Sequence, residues 1–484
     1  MIDDIRNQLD NNATAEFDLA IIGAGPAGIT IARSLVGRGL RIALLEAGGL
    51  EPPTAEELAL YDGDVVGLPY PLLASRQRFF GGTSNHWGGW CRPLDASDFE
   101  QREWFGVTAW PLSRSDLDPW YRQAHDVVQI TTEDYDMSSN THRNAILNPA
   151  PDDDFRDLGF RFSPPTRFGT VYREQLAKAN EVDVLLHATV VDLEHDGHVV
   201  AAAQVATLDG QRFRINAKVF IVATGGIEVA RLLLHTAHDQ QPALGNQSGL
   251  LGRYFMEHFG YTPGFLMTRA EMKYQRHEGT DDAQLMPVLA PSPRLMKEER
   301  LNNCCFMLTA TEPDPEWPPE ALQAPGIATS LGNSAWRYRV TMINEPTPNR
   351  NSRVSLSNQT DELGMRRLVL DWQILERDLE AIERVVARLA LWLGRRGLGR
   401  LQFSRPISPE TTERFSGGMH HMGTARMSRR AQNGVVDENC KVHGVDNLYV
   451  AGSAIFPTVG FSNPTLTITA LALRLASHLR GVRL

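Results

Sequence analysis

The chain has 484 residues, enough for a large core and more than one domain. Its formal charge of -10 argues against a nucleic-acid or anionic-membrane partner, since both need basic patches. No apolar run reaches membrane-spanning length, and Met1 to Glu16 lacks the basic and apolar regions of a secretory signal, so a cytoplasmic protein is expected.

Phe17 to Ile22 is mostly apolar and reads as a buried parallel strand. The turn Gly23-Ala24-Gly25-Pro26-Ala27-Gly28 follows, then a helix from about Ala27 to Gly37, then a second buried strand over Arg41 to Glu46. In that setting Gly-x-Gly-x-x-Gly is a dinucleotide-binding signal. Gly23 allows the tight turn, Gly25 lets the backbone meet a pyrophosphate, and Gly28 permits close helix–strand packing. Unpaired N–H groups at the helix N-terminus face the phosphates. Glu46 is placed to accept ribose hydroxyls and disfavours a 2′-phosphate, so NADP fits poorly. A purely structural turn is the bland alternative.

Glu51 to Gln77 is irregular. In Phe79-Phe80-Gly81-Gly82-Thr83-Ser84-Asn85-His86-Trp87-Gly88-Gly89, the glycine doublets let backbone approach a flat ring. Thr83, Ser84 and Asn85 supply donors and acceptors for its polar edge. His86 is either a structural hydrogen-bonder beside the cofactor or a covalent tether. Trp104 to Trp120 is rich in Trp, Pro and Asp, and Asp116-Leu117 opens a helix. Val182 to Ala223 reads as several strands with a hairpin turn at Asp209-Gly210. A helix is predicted over Ile227 to Leu234.

Gly260 to Pro346 carries mixed strand signals, and Arg353 to Ser357 and Leu368 to Trp372 look like sheet edges. Arg377 to Gly394 has the apolar spacing of an amphipathic helix packed on a sheet. Met419-His420-His421-Met422-Gly423-Thr424 follows; adjacent histidines on an extended segment point apart, so one faces a site and one packs. A neutral imidazole suits removal of a hydroxyl proton. No ligand spacing supports a metal. Leu448 to Gly452 is another buried strand, and a helix runs from about Pro464 to Leu479. Asn463 suits its N-cap and Pro464 its first position. The four cysteines, Cys91, Cys304, Cys305 and Cys440, form no disulfide framework and read as free thiols.

Together these segments resemble the glucose–methanol–choline (GMC) oxidoreductases, with Ala223-Thr224-Gly225-Gly226, Gly252 to His258 and Ser352-Arg353-Val354 adding to the likeness. The Ser-Asn-His-Trp run and Asn463 look most like the branch of pyranose 2-oxidases, C-glycoside 3-oxidases and sugar dehydrogenases. The resemblance implies FAD, bound by Gly23, Gly25, Pro26, Ala27, Gly28, Glu46, Ala47, Gly81, Gly82, Thr83, Ser84, Asn85, His86, Trp87, Val190, Ala223, Gly452, Ser453, Asn463, Pro464 and Thr465. It implies an α/β and α+β chain: a Rossmann-like FAD-binding domain over 1-115, 166-260 and 415-484, and a substrate-binding domain over 116-165 and 261-414 with an antiparallel sheet backed by helices. It also implies oxidation of a secondary alcohol of a sugar or glycoside to a ketone. His420, rather than His421, takes the hydroxyl proton, Asn463 holds the oxygen, and hydride passes to flavin N5. Oxygen or another acceptor then takes the electrons. In pyranose oxidases a histidine at the position of His86 bonds the flavin 8α-methyl; here that bond is left open. A tailoring enzyme acting on an aminoglycoside or other natural-product alcohol is the alternative, and a flavoprotein that has lost alcohol oxidation is a third reading.

Overall fold

The computed structural model describes residues 1–135, 137, 149–150, 153–238, 242–268, 271–272, 274, 276, 284–311, 336–403 and 415–482. Parts of the predicted 116-165 and 261-414 segments therefore lie outside the described residues.

The first sheet is built on near-continuous apolar strands. Leu19 to Ile22 and Ile42 to Leu45 are at most 3% exposed, as expected for parallel strands covered on both faces. The parallel order is Ile2–Asp4, Val182–Leu186, Ile42–Leu45, Thr14–Ile22, Arg212–Val222, with Leu448–Val450 pairing the far end of the last. Val200–Ala206 and Thr189–His195 extend this sheet in antiparallel fashion. The hairpin turn falls where predicted, with Gly210 at φ +88° and its N–H donating to the Thr207 carbonyl. Helices Pro26–Leu35, Gly225–His235 and Thr465–Leu479 bury their apolar faces in the core around this sheet.

The second sheet is antiparallel throughout, in the order Gly399–Phe403, Phe259–Thr268, Trp336–Asn344, Cys304–Ala310, Leu285–Pro291, Phe155–Phe162, Trp90–Cys91. Trp336–Asn344 alternates buried and less buried positions with the period of a strand covered on one face. The predicted amphipathic helix is Glu376–Arg395; it sets Ile382, Val385, Val386, Leu389 and Leu393 into this second core.

The structure departs from the predicted pattern in three places. The helix expected to open at Asp116-Leu117 is Arg114–Val127. Ser113 caps it by accepting from the Asp116 N–H, so Asp116 is the third helical residue of a capping box. This helix also packs on Thr465–Leu479 and buries Leu117, Tyr121 and Ala124 in the first core. A small third sheet was not anticipated: Arg353–Thr360 pairs Arg366–Asp371, which takes up Gly63–Val65 in parallel from the stretch read as irregular. Finally, Pro464 occupies the cap position with helical φ and ψ, and the last helix starts at Thr465. Asn463 is thus one residue too early to cap it. Among the described residues, no helix is long and apolar enough to cross a membrane.

Candidate active site

A cavity of about 400 Å³ runs from the first glycine turn to the segment around His420. The glycines explain its shape at the turn. Gly23 has φ +105°, and a Cβ there would lie 2.7 Å from the Ala223 carbonyl oxygen. A Cβ on Gly28 would lie 1.9 Å from the Gly23 carbonyl oxygen, so the helix could not start where it does. A Cβ on Gly25 would meet nothing within 4 Å, because this glycine stands over the cavity. Glu46 is 5% exposed, and its two oxygens accept the Ala24 and Gly48 N–H groups at 3.0 and 3.1 Å. Each oxygen keeps a further lone pair, which a ribose hydroxyl could use.

Every cofactor position named from the sequence lines this cavity except Gly28, Gly81 and Asn85. Gly28 packs beneath the turn. Gly81 ties the second loop to the first by donating its N–H to the Ala24 carbonyl. Asn85, expected to meet a polar ring edge, spends its Nδ2 on the Phe80 carbonyl at 3.0 Å. Ser84 also bonds inward, to the Gly81 carbonyl and the Phe168 N–H, although it borders the cavity. His86 is exposed to the cavity; Gln77 meets its Nδ1 at 2.9 Å, and burial and the Arg167 guanidinium hold its pKa below the usual range.

At the other end, His420 and Asn463 converge, with Asn463 Nδ2 lying 3.3 Å from His420 Nε2. The backbone makes this possible. Met419 sits at φ +59°, and a Cβ on Gly418 would be 2.7 Å from His420 Nδ1, so the ring folds back over a residue without a side chain. The His420 N–H donates to Glu257 Oε2 at 2.8 Å, and Gly418 donates to Oε1 at 3.1 Å. Tyr70 Oη–H donates to the same carboxylate at 2.7 Å. On its other edge, His420 Nδ1 meets His258 Nδ1 at 2.9 Å. Burial, then His258 and His421, hold the His420 pKa well below the usual value, so its imidazole is neutral. The His421 ring lies 30° from parallel with Phe255 and edge-on to Tyr70. In the sequence Glu257 and His258 stand out only as part of a family likeness; their side chains prove to hold His420.

Glu257 gives a pH prediction. Burial raises its pKa from an ordinary 4.5 to about 7. Between those values the folded chain keeps a proton that the unfolded chain releases, so stability falls as pH rises through this window. The full loss is of order 3 kcal/mol above pH 7, since each tenfold difference in proton affinity between the two states is worth about 1.4 kcal/mol. The difference in unfolding free energy between wild type and Glu257→Gln, followed from pH 4.5 to 8, isolates this slope from the opposite one of the buried His258 and His421; a difference that does not change with pH would assign it elsewhere.

The residues suit a flavin dinucleotide. Several buried polar atoms bordering the cavity have no protein partner: Arg78 Nε, Thr224 Oγ1, His421 Nε2 and Asn463 Oδ1. Such atoms call for a polar ligand. A parallel-sheet nucleotide turn, an antiparallel sheet beside it and an imidazole–amide pair in one cavity define a cofactor-dependent oxidoreductase. Residues 348–472 match the GMC oxidoreductase family model. The chain is 27% identical to 6'''-hydroxyparomomycin C oxidase of Streptomyces lividus, covering 96% of this chain and 92% of the relative. It is 24% identical to C-glycoside 3-oxidase of Microbacterium trichothecenolyticum, covering 96% of each chain. The crystal structure of a formate oxidase shares the fold, with a TM-score of 0.60 over 97% of this chain and 98% of that one, at 16% identity. The chain is thus similar to the GMC oxidoreductases, through residues 348–472 to the family model and along most of its length to these relatives.

Proposed function

We propose that this protein oxidises a secondary alcohol of a sugar or glycoside to the ketone. The observation that carries this reading is the convergence of His420 Nε2 and the Asn463 amide, 3.3 Å apart, in the same cavity as the glycine turn. A substrate hydroxyl set between them donates its hydrogen to Nε2 and accepts one from Asn463 Nδ2. FAD, when bound, supplies the two-electron acceptor for the carbinol hydrogen. The protein holds the oxygen and takes the proton. The likeness to C-glycoside 3-oxidase supports a glycoside substrate. The likeness to 6'''-hydroxyparomomycin C oxidase supports the alternative, an aminoglycoside or other natural-product alcohol, and the -10 charge suits a cationic one. The buried free thiols at Cys91, Cys304, Cys305 and Cys440 favour a cytoplasmic site of action.

Anaerobic flavin bleaching by monosaccharides, C- and O-glycosides and aminoglycosides tests the reading. Bleaching by a neutral glycoside supports it, bleaching by aminoglycosides alone moves it to the alternative, and no bleaching by any alcohol sinks both. Repeating the panel in air, with peroxide and dye reduction measured side by side, decides between oxygen and another acceptor.

His86 is the proposed attachment point of a covalently held flavin. Its ring is neutral, and with Nδ1 engaged by Gln77 the other nitrogen, Nε2, is the one left to react. Acid precipitation should leave the yellow colour in the pellet, and His86→Ala should release it. Colour in the wild-type supernatant would mean that no bond forms.

A further inference from the structure

His258 stands one link behind the base. It is 2% exposed, and its ring lies edge-on to His420 with the two planes 88° apart. Its Nε2 is 2.9 Å from the Gly460 carbonyl oxygen. A carbonyl oxygen only accepts, so Nε2 carries a hydrogen. Burial lowers the His258 pKa to about 4, so the ring is neutral and has a single N–H. Its Nδ1 is therefore a bare lone pair. That lone pair faces His420 Nδ1 at 2.9 Å, and the hydrogen between them belongs to His420. With Nδ1 protonated, the lone pair of neutral His420 is on Nε2, the nitrogen that faces Asn463.

The anchor of this chain is itself buried and fixed. The Gly460 N–H donates to Glu345 Oε1 at 2.9 Å, and Val459 donates to the same oxygen at 3.2 Å. Glu345 is held in turn by two bonds from Arg102. Gly460 has φ +53°, and a Cβ there would be 2.4 Å from an Asp98 carboxylate oxygen, so the peptide has little room to turn.

We propose that His258 is a positioning residue that sets the tautomer of His420: the Gly460 carbonyl fixes the hydrogen on His258, and His258 thereby fixes the hydrogen on His420. This rests on the reading of His420 as the base. In the opposite tautomer His420 would carry its hydrogen on Nε2 and could take no proton from an alcohol. When the alcohol proton does arrive at Nε2, the hydrogen bond from Nδ1 to His258 becomes charge-assisted and strengthens. No net proton is gained or lost in setting the tautomer.

Three substitutions in the flavin-loaded enzyme separate this role from simple support. Asn places an amide oxygen near where His258 Nδ1 lies and keeps an acceptor for His420. Gln reaches the Nε2 position and keeps only the bond to Gly460. Phe keeps neither. His258→Phe and His258→Gln should lose roughly 10²-fold in kcat with little change in KM, while His258→Asn should stay within about tenfold of wild type. Nitrogen-15 spectra of histidine-labelled protein, assigned with His420→Ala, should place the bare nitrogen of His420 at Nε2 in wild type and in His258→Asn. In His258→Phe the two ring nitrogens should approach an averaged shift. Rescue by Gln but not Asn, or a protonated Nε2 in wild type, overturns the proposal. A full rate in His420→Ala would instead defeat the base assignment and leave the tautomer result standing on the spectra alone.

Discussion

Replacing His420 with alanine should lower the rate of substrate-driven flavin reduction by about 10²- to 10⁴-fold, the contribution expected of a positioned general base. Two described neighbours are the obvious substitutes, and neither is placed to act. Glu257 is a carboxylate close by, but its oxygens already accept three hydrogen bonds. His421 is adjacent in sequence, yet its ring lies against Phe255 and Tyr70. His421→Ala should therefore cost far less in rate and act through packing. Stopped-flow reduction of the two variants by one substrate checks this, and equal losses in both would remove the assignment of the base to His420.

Arg102→Met should destabilise the fold by about 3–5 kcal/mol, the range for stranding one partner of a buried ion pair. Arg102 Nη1 and Nη2 bond the two oxygens of Glu345 at 2.5 and 2.8 Å, and the side chains are 5% and 0% exposed. Burial alone would push Glu345 up, but Arg102 and the N–H groups of Gly460 and Asn303 outweigh it and keep the carboxylate ionised. Without Arg102 that charge has no counter-ion. Adding Glu345→Gln to the variant should recover part of the loss, because a neutral amide costs less to bury. Denaturant midpoints for the single and double variants provide the measurement; a single-variant loss under about 1 kcal/mol would mean that solvent reaches the pair.

The elements that could be read from the sequence are those whose signal is local. Thr14–Ile22, Ile42–Leu45 and Leu448–Val450 are buried on both faces and so are apolar throughout. The glycine turn and His420 sit in short patterns with a mechanical reason for each residue. What escaped has no local trace. Gly63–Val65 joins Arg366–Asp371 across some 300 residues, and the contact uses a glycine whose missing side chain would collide with Leu368. Arg114–Val127 packs on the last helix. His258 meets His420 across 162 residues, and Arg102 meets Glu345 across 243. Asn463 offered two readings, cap or site residue. The helix starts one residue later, so its side chain turns to His420.

The last helix, Thr465–Leu479, packs directly on Pro26–Leu35, the helix that opens from the glycine turn. The two are separated by about 430 residues, which a ribosome adds at about 5–20 residues per second. For roughly 20 to 90 seconds, then, each nascent chain carries the first half of its nucleotide site with one apolar helix face uncovered. A chain halted before residue 465 has the glycine turn at residue 23 but lacks the helix that covers the one opening from it.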